Sequence, residues 1–177
     1  MSSEYSNLNI PVNRNRDHIL GPDTAPITLV EYGDYECPYC GQAYPIIKQI
    51  QDYFGDNLRF VFRNFPLSQV HPHAQRAEEA ADQNKFWNMH DYLYERQQAL
   101  DDMHLEKYAK IVGLDLERFD KDMKNHIHVP KIREDFRSGI QSGVNGTPSF
   151  YINGTRYDGS WDFDTLVQIL TSVIDYQ

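Results

Sequence analysis

A chain of 177 residues can bury one core, or one core with a sub-domain inserted, and is too short for two independent enzyme domains. A net charge of −9 argues against nucleic acid or an anionic membrane surface as partner, and no apolar run approaches membrane-spanning length. The 12 Tyr and 9 Phe put a sizeable core within reach despite a polar average.

Residues 1–16 are polar, with Ser and Asn throughout, and read as a mobile arm. No apolar stretch follows a basic start within residues 1–20, so no signal peptide is expected and the expected compartment is the cytoplasm. There, two cysteines are more often catalytic than structural. Asp17 to Pro26 leads into the segment around which the chain is organised, Ile27-Thr-Leu-Val-Glu-Tyr-Gly-Asp-Tyr-Glu-Cys-Pro-Tyr-Cys40.

Ile27, Leu29 and Glu31 alternate with Thr28, Val30 and Tyr32, the period of a pleated strand. Gly33 and Asp34 break it. Pro38 then suits the first position of a helix, where its missing N–H would be unpaired anyway. Ala43, Ile46, Ile47, Ile50, Tyr53 and Phe54 keep helical spacing until Gly55. Cys37 and Cys40 stack on one face of this helix, close enough for a disulfide. Cys37 lies at the helix N-terminus, where free amides and the dipole favour a thiolate, and is the expected attacking thiol. Cys40, one turn inside, is the expected resolving thiol. Glu31 is carried beneath the helix on an otherwise apolar strand face, where burial would raise its pKa and let it relay a proton to Cys40.

Asn57 to Phe65 alternates again and gives a second strand, parallel to the first through a right-handed crossover. From Pro72 to Gln141 the pattern is helical. Ala74, Ala77, Ala80 and Ala81 share a face, as do Phe86, Met89, His90 and Leu93, and then Leu105, Tyr108, Ala109 and Val112. Asp115 can cap a helix carrying Leu116, Phe119 and Met123, and Val129, Ile132, Phe136 and Ile140 mark one more. Strand signals resume at Pro148 to Ile152, turn at Asn153-Gly154 and return through Thr155 to Tyr157. Asp162 can cap a last helix bearing Phe163, Leu166, Val167, Leu170 and Val173. The expected domains are therefore a frame over 17–71 and 142–177, interrupted by a helical sub-domain over 72–141.

A lone C-x-x-C also fits half a zinc site or an inert pair, but here it follows a strand, opens a helix and holds the only two cysteines. No metal is expected. His71 and His73 read as solvated or capping, since nothing completes a ligand set. His90-Asp91 points two ways from one helix and reads as packing, as do Phe86 and Trp87. Asn145-Gly-Thr and Asn153-Gly-Thr match the glycosylation sequon and read as turns. Phe65, Pro66, Leu67 and Val70 are either an apolar substrate rim or buried.

Several motifs together resemble the DsbA-like branch of the thioredoxin superfamily: Gly21-Pro-Asp-Thr-Ala-Pro26, Val30 to Cys40, Arg63-Asn-Phe-Pro-Leu67, His71-Pro-His-Ala74, Phe86-Trp-Asn-Met-His-Asp91 and Gly143-Val-Asn-Gly-Thr-Pro-Ser-Phe150. The chain is especially similar to the DsbA-like domains found alone or fused behind some bacterial sodium/proton antiporters. The resemblance implies an α/β, thioredoxin-like fold with a central mixed sheet of four or five strands and an inserted helical sub-domain. It also implies a cis Thr147–Pro148 bond opposite Cys37, with Pro38, Tyr39, Thr147 and Pro148 meeting substrate. Cys-Pro-Tyr-Cys is the glutaredoxin tetrapeptide. It lacks the histidine of the strongly oxidising Cys-Pro-His-Cys proteins.

The expected function is thiol–disulfide exchange with protein, peptide or small-molecule substrates, without a cofactor, served by a redox partner such as the glutathione or thioredoxin system. The alternative is a chaperone-like module that holds extended peptides beside Pro148, with redox activity incidental.

Overall fold

The computed structural model describes residues 6–175. The strand expected from residue 27 is β2 (Ile27–Gly33), buried along its whole length because both of its edges and both of its faces are covered. It pairs in parallel with β3 (Leu58–Asn64), from Ile27 opposite Leu58 to Gly33 opposite Asn64. The crossover is α1 (Pro38–Phe54), which ends at Gly55 with φ +52, a conformation glycine adopts without strain. A 3₁₀ turn takes Gly55–Asn57, so β3 begins one residue later than the alternation suggests.

On the other side β4 (Ser149–Ile152) runs antiparallel to β2 and forms a hairpin with β5 (Thr155–Tyr157). Asn153 and Gly154 both have positive φ, as a two-residue turn of this twist requires. β1 (His18–Leu20) pairs with the outer edge of β3 and completes the order β1-β3-β2-β4-β5. It has three residues, too few for alternation to be read from sequence.

The period-2 alternation of β2 divides the interior. Leu29 faces Ile47 and Ile50 of α1 and Leu166 and Leu170 of α7 (Phe163–Asp175). Val30 and Tyr32 face the opposite cluster with Val61, Phe65 and Tyr151. Five helices lie between the sheet halves in sequence: α2 (Ala74–Ala81), α3 (Phe86–Tyr94), α4 (Asp102–Val112), α5 (Leu116–Lys124) and α6 (Val129–Gln141). Asp101 and Asp115 cap α4 and α5 by accepting from the His104 and Arg118 amides. Among the described residues the sheet takes no strand from 72–141, and the fold is the α/β, thioredoxin-like one with a helical insertion. The inserted helices return to the sheet on both faces. Trp87 and Phe86 of α3 meet Phe60 and Phe62, while Phe136 of α6 stacks on Phe65 at 4.4 Å on the other side. Gly139 allows that approach, since a Cβ there would lie 2.7 Å from the Phe65 ring. Among the described residues no helix is long and apolar enough to cross a membrane.

The arm expected over 1–16 meets a different geometry from residue 6 onward; residues 1–5 lie outside the described residues. Asn7 bridges to Thr155, the Leu8 amide donates to Gly154 O (2.9 Å), and the Arg156 amide donates to Ser6 O (2.9 Å). Leu8 and Val12 cover the Tyr32 face of the sheet. Polarity hid this, because the pairing uses backbone groups that any side chain can carry.

The same segment closes a buried ionic network. Arg63 on β3 is fully buried and donates through Nε and Nη2 to Asp17 (2.9 and 3.0 Å) and through Nη1 to the Tyr32 hydroxyl (3.0 Å). Burial pushes the Asp17 carboxyl up, but hydrogen bonds from Arg63 and the Asn13 amide, with the Arg63 and Arg16 charges, hold it below the ordinary 3.8. A depressed carboxylate stabilises the fold in full above its unfolded value and loses that contribution as the pH falls through its folded value. Asp17→Ala leaves Arg63 buried and unpaired and is expected to cost about 3 kcal/mol near neutral pH in urea denaturation. The gap from wild type should close in acid, below pH 3.8. A gap that persists unchanged there would remove the ion pair as its cause.

Candidate active site

The site begins where β2 ends. Asp34, the first residue beyond it, is fully buried, and its carboxylate accepts from the Glu36 amide (2.8 Å), the Leu67 amide (2.9 Å) and His71 Nδ1 (2.8 Å). Its backbone carbonyl accepts from the Cys37 amide (3.1 Å). This turn delivers Cys37 as the N-cap of α1 in extended conformation, with Pro38 at the first helical position. His73 adds a second tie, its amide and Nδ1 both binding the Glu36 carboxylate (2.7 and 3.0 Å).

A third tie comes from the chain after α3. Gln97 Nε2 donates to the carbonyls of both Tyr35 (2.9 Å) and Cys37 (2.8 Å). The same amide lies over Gly41, where any Cβ would collide with it. Gly41 thus leaves the space in which the Gln97 amide sits.

Cys37 is 3 % exposed and Cys40 fully buried; both are free thiols. The two are held in opposite protonation states. Cys37 is lowered to about 5, first by a hydrogen bond from the Cys40 thiol, then, against the cost of burial, by the Thr147 side chain and the backbone amides of Cys40 and Tyr39. Thr147 Oγ1 is buried with no other partner, and the Thr147 carbonyl lies 3.6 Å from Cys37 Sγ. Burial pushes Cys40 well up, reinforced by the hydrogen bond it donates to Cys37 and by the charges of Glu31 and Cys37. Glu31, 2 % exposed, is raised to about 8, mainly by burial and then by the Cys37 charge.

Behind Glu31 lies a cavity of about 10 Å³, lined also by Tyr44, Lys48, His90 and Asp91, with room for roughly one water. Two carboxylate oxygens at it, Glu31 Oε1 and Asp91 Oδ1, have no hydrogen-bond partner, while Asp91 Oδ2 pairs with Lys48 Nζ at 3.0 Å. His90 is buried among the Tyr35, Phe62, Trp87 and Tyr94 rings with its Nδ1 on the Tyr35 hydroxyl (2.8 Å), and burial keeps it neutral.

The residues singled out from sequence therefore converge. Cys37 lies against Cys40 and Thr147, Glu31 is near enough for its charge to act on both sulfurs, Thr147–Pro148 is cis, and Pro38 and the 63 %-exposed Tyr39 stand at the surface between the cysteines. His73 is exposed and occupies the N-cap position of α2, as the solvated or capping reading allows, but both His71 and His73 are also paired with acids that precede Cys37. Among the described residues no group of three or more His, Cys, Asp or Glu side chains is placed to hold a metal. Asp34, Gln97 and Lys48 escaped the sequence reading as site residues, and Asp91, read there as packing, instead pairs with Lys48 at the cavity behind Glu31. Only Asp34 carried a local signal, an Asp two residues before the amide it accepts from. The other three are assembled by tertiary packing alone.

Comparison with known proteins identifies the family and the fold. The family model described as Thioredoxin matches residues 13–172. The "Na(+)/H(+) antiporter NhaA 1" of Salinispora arenicola is 45% identical over 176 residues, 97% of this chain and 27% of that protein. The chain thus spans about a quarter of the length of the curated relatives it matches. A thioredoxin-like oxidoreductase from Silicibacter pomeroyi has a similar structure (TM-score 0.79, 26% identity, 94% of this chain and 99% of that one). So has alpha-DsbA1 of Wolbachia pipientis (TM-score 0.80, 19% identity, 94% of each chain). With a cysteine pair opening α1 of a fold shared with DsbA-like proteins, the chain belongs to the thioredoxin family.

Proposed function

We propose that this chain is a thiol–disulfide oxidoreductase in which Cys37 attacks, Cys40 resolves and Glu31 manages the proton between them. The observation that carries the reading is a pair of free cysteines one helical turn apart at the start of α1, with the Thr147 carbonyl 3.6 Å from Cys37 Sγ, a setting that lowers Cys37 to about 5 and pushes the buried Cys40 well up. Cys37 is then a thiolate at neutral pH and attacks one sulfur of a substrate disulfide, releasing the first substrate thiolate. Cys37 is now bonded to the second. Cys40 gives up its proton, attacks Cys37 Sγ and expels the second thiolate. The enzyme dithiol becomes a disulfide, the substrate disulfide becomes two thiols, and the steps reverse when the pair is to be reduced.

Charge explains the timing of the proton. While Cys37 is a thiolate it helps keep Glu31 protonated. In the mixed disulfide that charge is gone, Glu31 ionises more readily, and it becomes the base for Cys40. Protein or peptide substrates would lie extended along the Thr147 backbone, with Pro38 and Tyr39 beside them. In the cytoplasm, glutathione or the thioredoxin system would reset the pair.

Iodoacetamide should label Cys37 with a midpoint near pH 5, and labelling of Cys40 first would reverse the roles. Cys40→Ala removes the strongest donor to the thiolate and should move that midpoint up by about 1 unit. Glu31→Gln keeps the shape and removes the base. Single-turnover resolution of a Cys37 mixed disulfide should slow about tenfold to a hundredfold near neutral pH, and the wild-type rise with pH should flatten. Superimposable profiles would remove Glu31 from the proton transfer.

A further inference from the structure

The loop that follows β3 and helix α6 enclose an open groove of about 760 Å³, within the size range of ligand sites. Pro66, Leu67 and Val70 form one wall, and Ile132, Phe136 and Ile140 the other. Val70 and Ile140 are 69 % and 53 % exposed, high for large apolar residues facing each other across a cleft. Phe65, at the root of the loop, is buried beneath Phe136. The groove is thus apolar, lined and open.

Its rim is charged, with the sign opposite to the chain's excess. Arg133 and Arg137 stand one helical turn apart on α6, both exposed and both lining the groove. Neither makes a hydrogen bond or ion pair among the described residues, although the chain carries a net charge of −9. The acids of α6 are engaged elsewhere, Glu134 with Arg16 and Asp135 with Arg16 and Lys131. Two guanidinium forks beside an apolar floor suit a segment that carries apolar side chains next to carboxylates.

Both walls run into the site. Leu67 and His71 hold the Asp34 carboxylate and His73 holds Glu36, the residue before Cys37. Beyond α6 the chain passes through Gly143 to Thr147, whose carbonyl meets Cys37 Sγ. A polypeptide whose cysteine is bonded to Cys37 would have the groove within reach of its neighbouring residues.

We infer that this groove is a docking subsite for substrate polypeptides, taking an apolar segment flanked by Asp or Glu near the reacting cysteine. The inference rests on the thiol-exchange reading above. The test uses peptides with one cysteine capped as a thionitrobenzoate disulfide, differing only in a neighbouring tract: Leu-Leu-Asp-Glu, Leu-Leu-Lys-Lys or Ser-Ser-Asp-Glu. The uncharged bis(2-hydroxyethyl) disulfide is the control that cannot fill the groove.

Wild type should favour the Leu-Leu-Asp-Glu peptide over either other about tenfold in kcat/KM, the reach of two rim ion pairs at the upper end of exposed-pair strengths. Added salt should narrow its margin over the Lys peptide. Arg133→Glu with Arg137→Glu should invert the preference for acidic over Lys peptide while leaving the control substrate's rate unchanged. Equal rates for the three peptides in wild type, or a preference indifferent to the two substitutions, would overturn the inference. If wild type fails to turn over the control, the thiol-exchange reading falls instead. Anisotropy of a labelled, cysteine-free Leu-Leu-Asp-Glu peptide then decides the groove alone: binding abolished by the two substitutions supports it, and no binding to wild type overturns it.

Discussion

One wholly buried carboxylate holds the working end of this molecule together. Asp34 follows the central strand directly, and donors from its own turn and from the loop after β3 converge on it. A buried carboxylate keeps its charge only if such donors are supplied, and those donors stay in place only if the carboxylate does. The result is a turn with little freedom, whose backbone carbonyl sets the Cys37 amide. The aim of the Tyr39 and Cys40 amides at the Cys37 sulfur follows from that turn.

Cys37 and Glu31 then work as a linked pair of acids with different tasks. One is stabilised as an anion by convergent hydrogen bonds, and the other is raised to about 8 by burial and by the Cys37 charge. Moving negative charge from one to the other costs less than creating it afresh, because each lowers its affinity for a proton when the other becomes neutral. The small cavity lined by Glu31 and Asp91 lies beside the Lys48–Asp91 pair.

Much of this was legible in the chain itself, where local rules and global fold agree. Alternation over Ile27 to Tyr32, proline at a helix start and Gly55 past its end each have a local physical cause, and β2 and α1 appear where those causes put them. Asp101 was not singled out although it caps α4 as Asp115 caps α5, which shows how easily a short polar signal is passed over. The His71 and His73 pairings were beyond reach, since Asp34 and Glu36 lie 37 residues away from each in sequence. The position of residues 6–16 was beyond reach for a different reason: edge pairing depends on a neighbour's free backbone groups, which composition does not encode.

Gln97 changes how the inserted helices should be regarded. A single side-chain amide from the turn after α3 grips the two carbonyls on either side of Glu36, through a gap that Gly41 leaves open. The insertion is therefore not a detachable module. A shortened protein that joined the end of β3 to the start of β4 would keep both sulfurs, the acid beneath them and the sheet. It would lose Thr147 beside Cys37, the Leu67, His71 and Gln97 ties on the turn that aims the sulfurs, and both walls of the groove beside them.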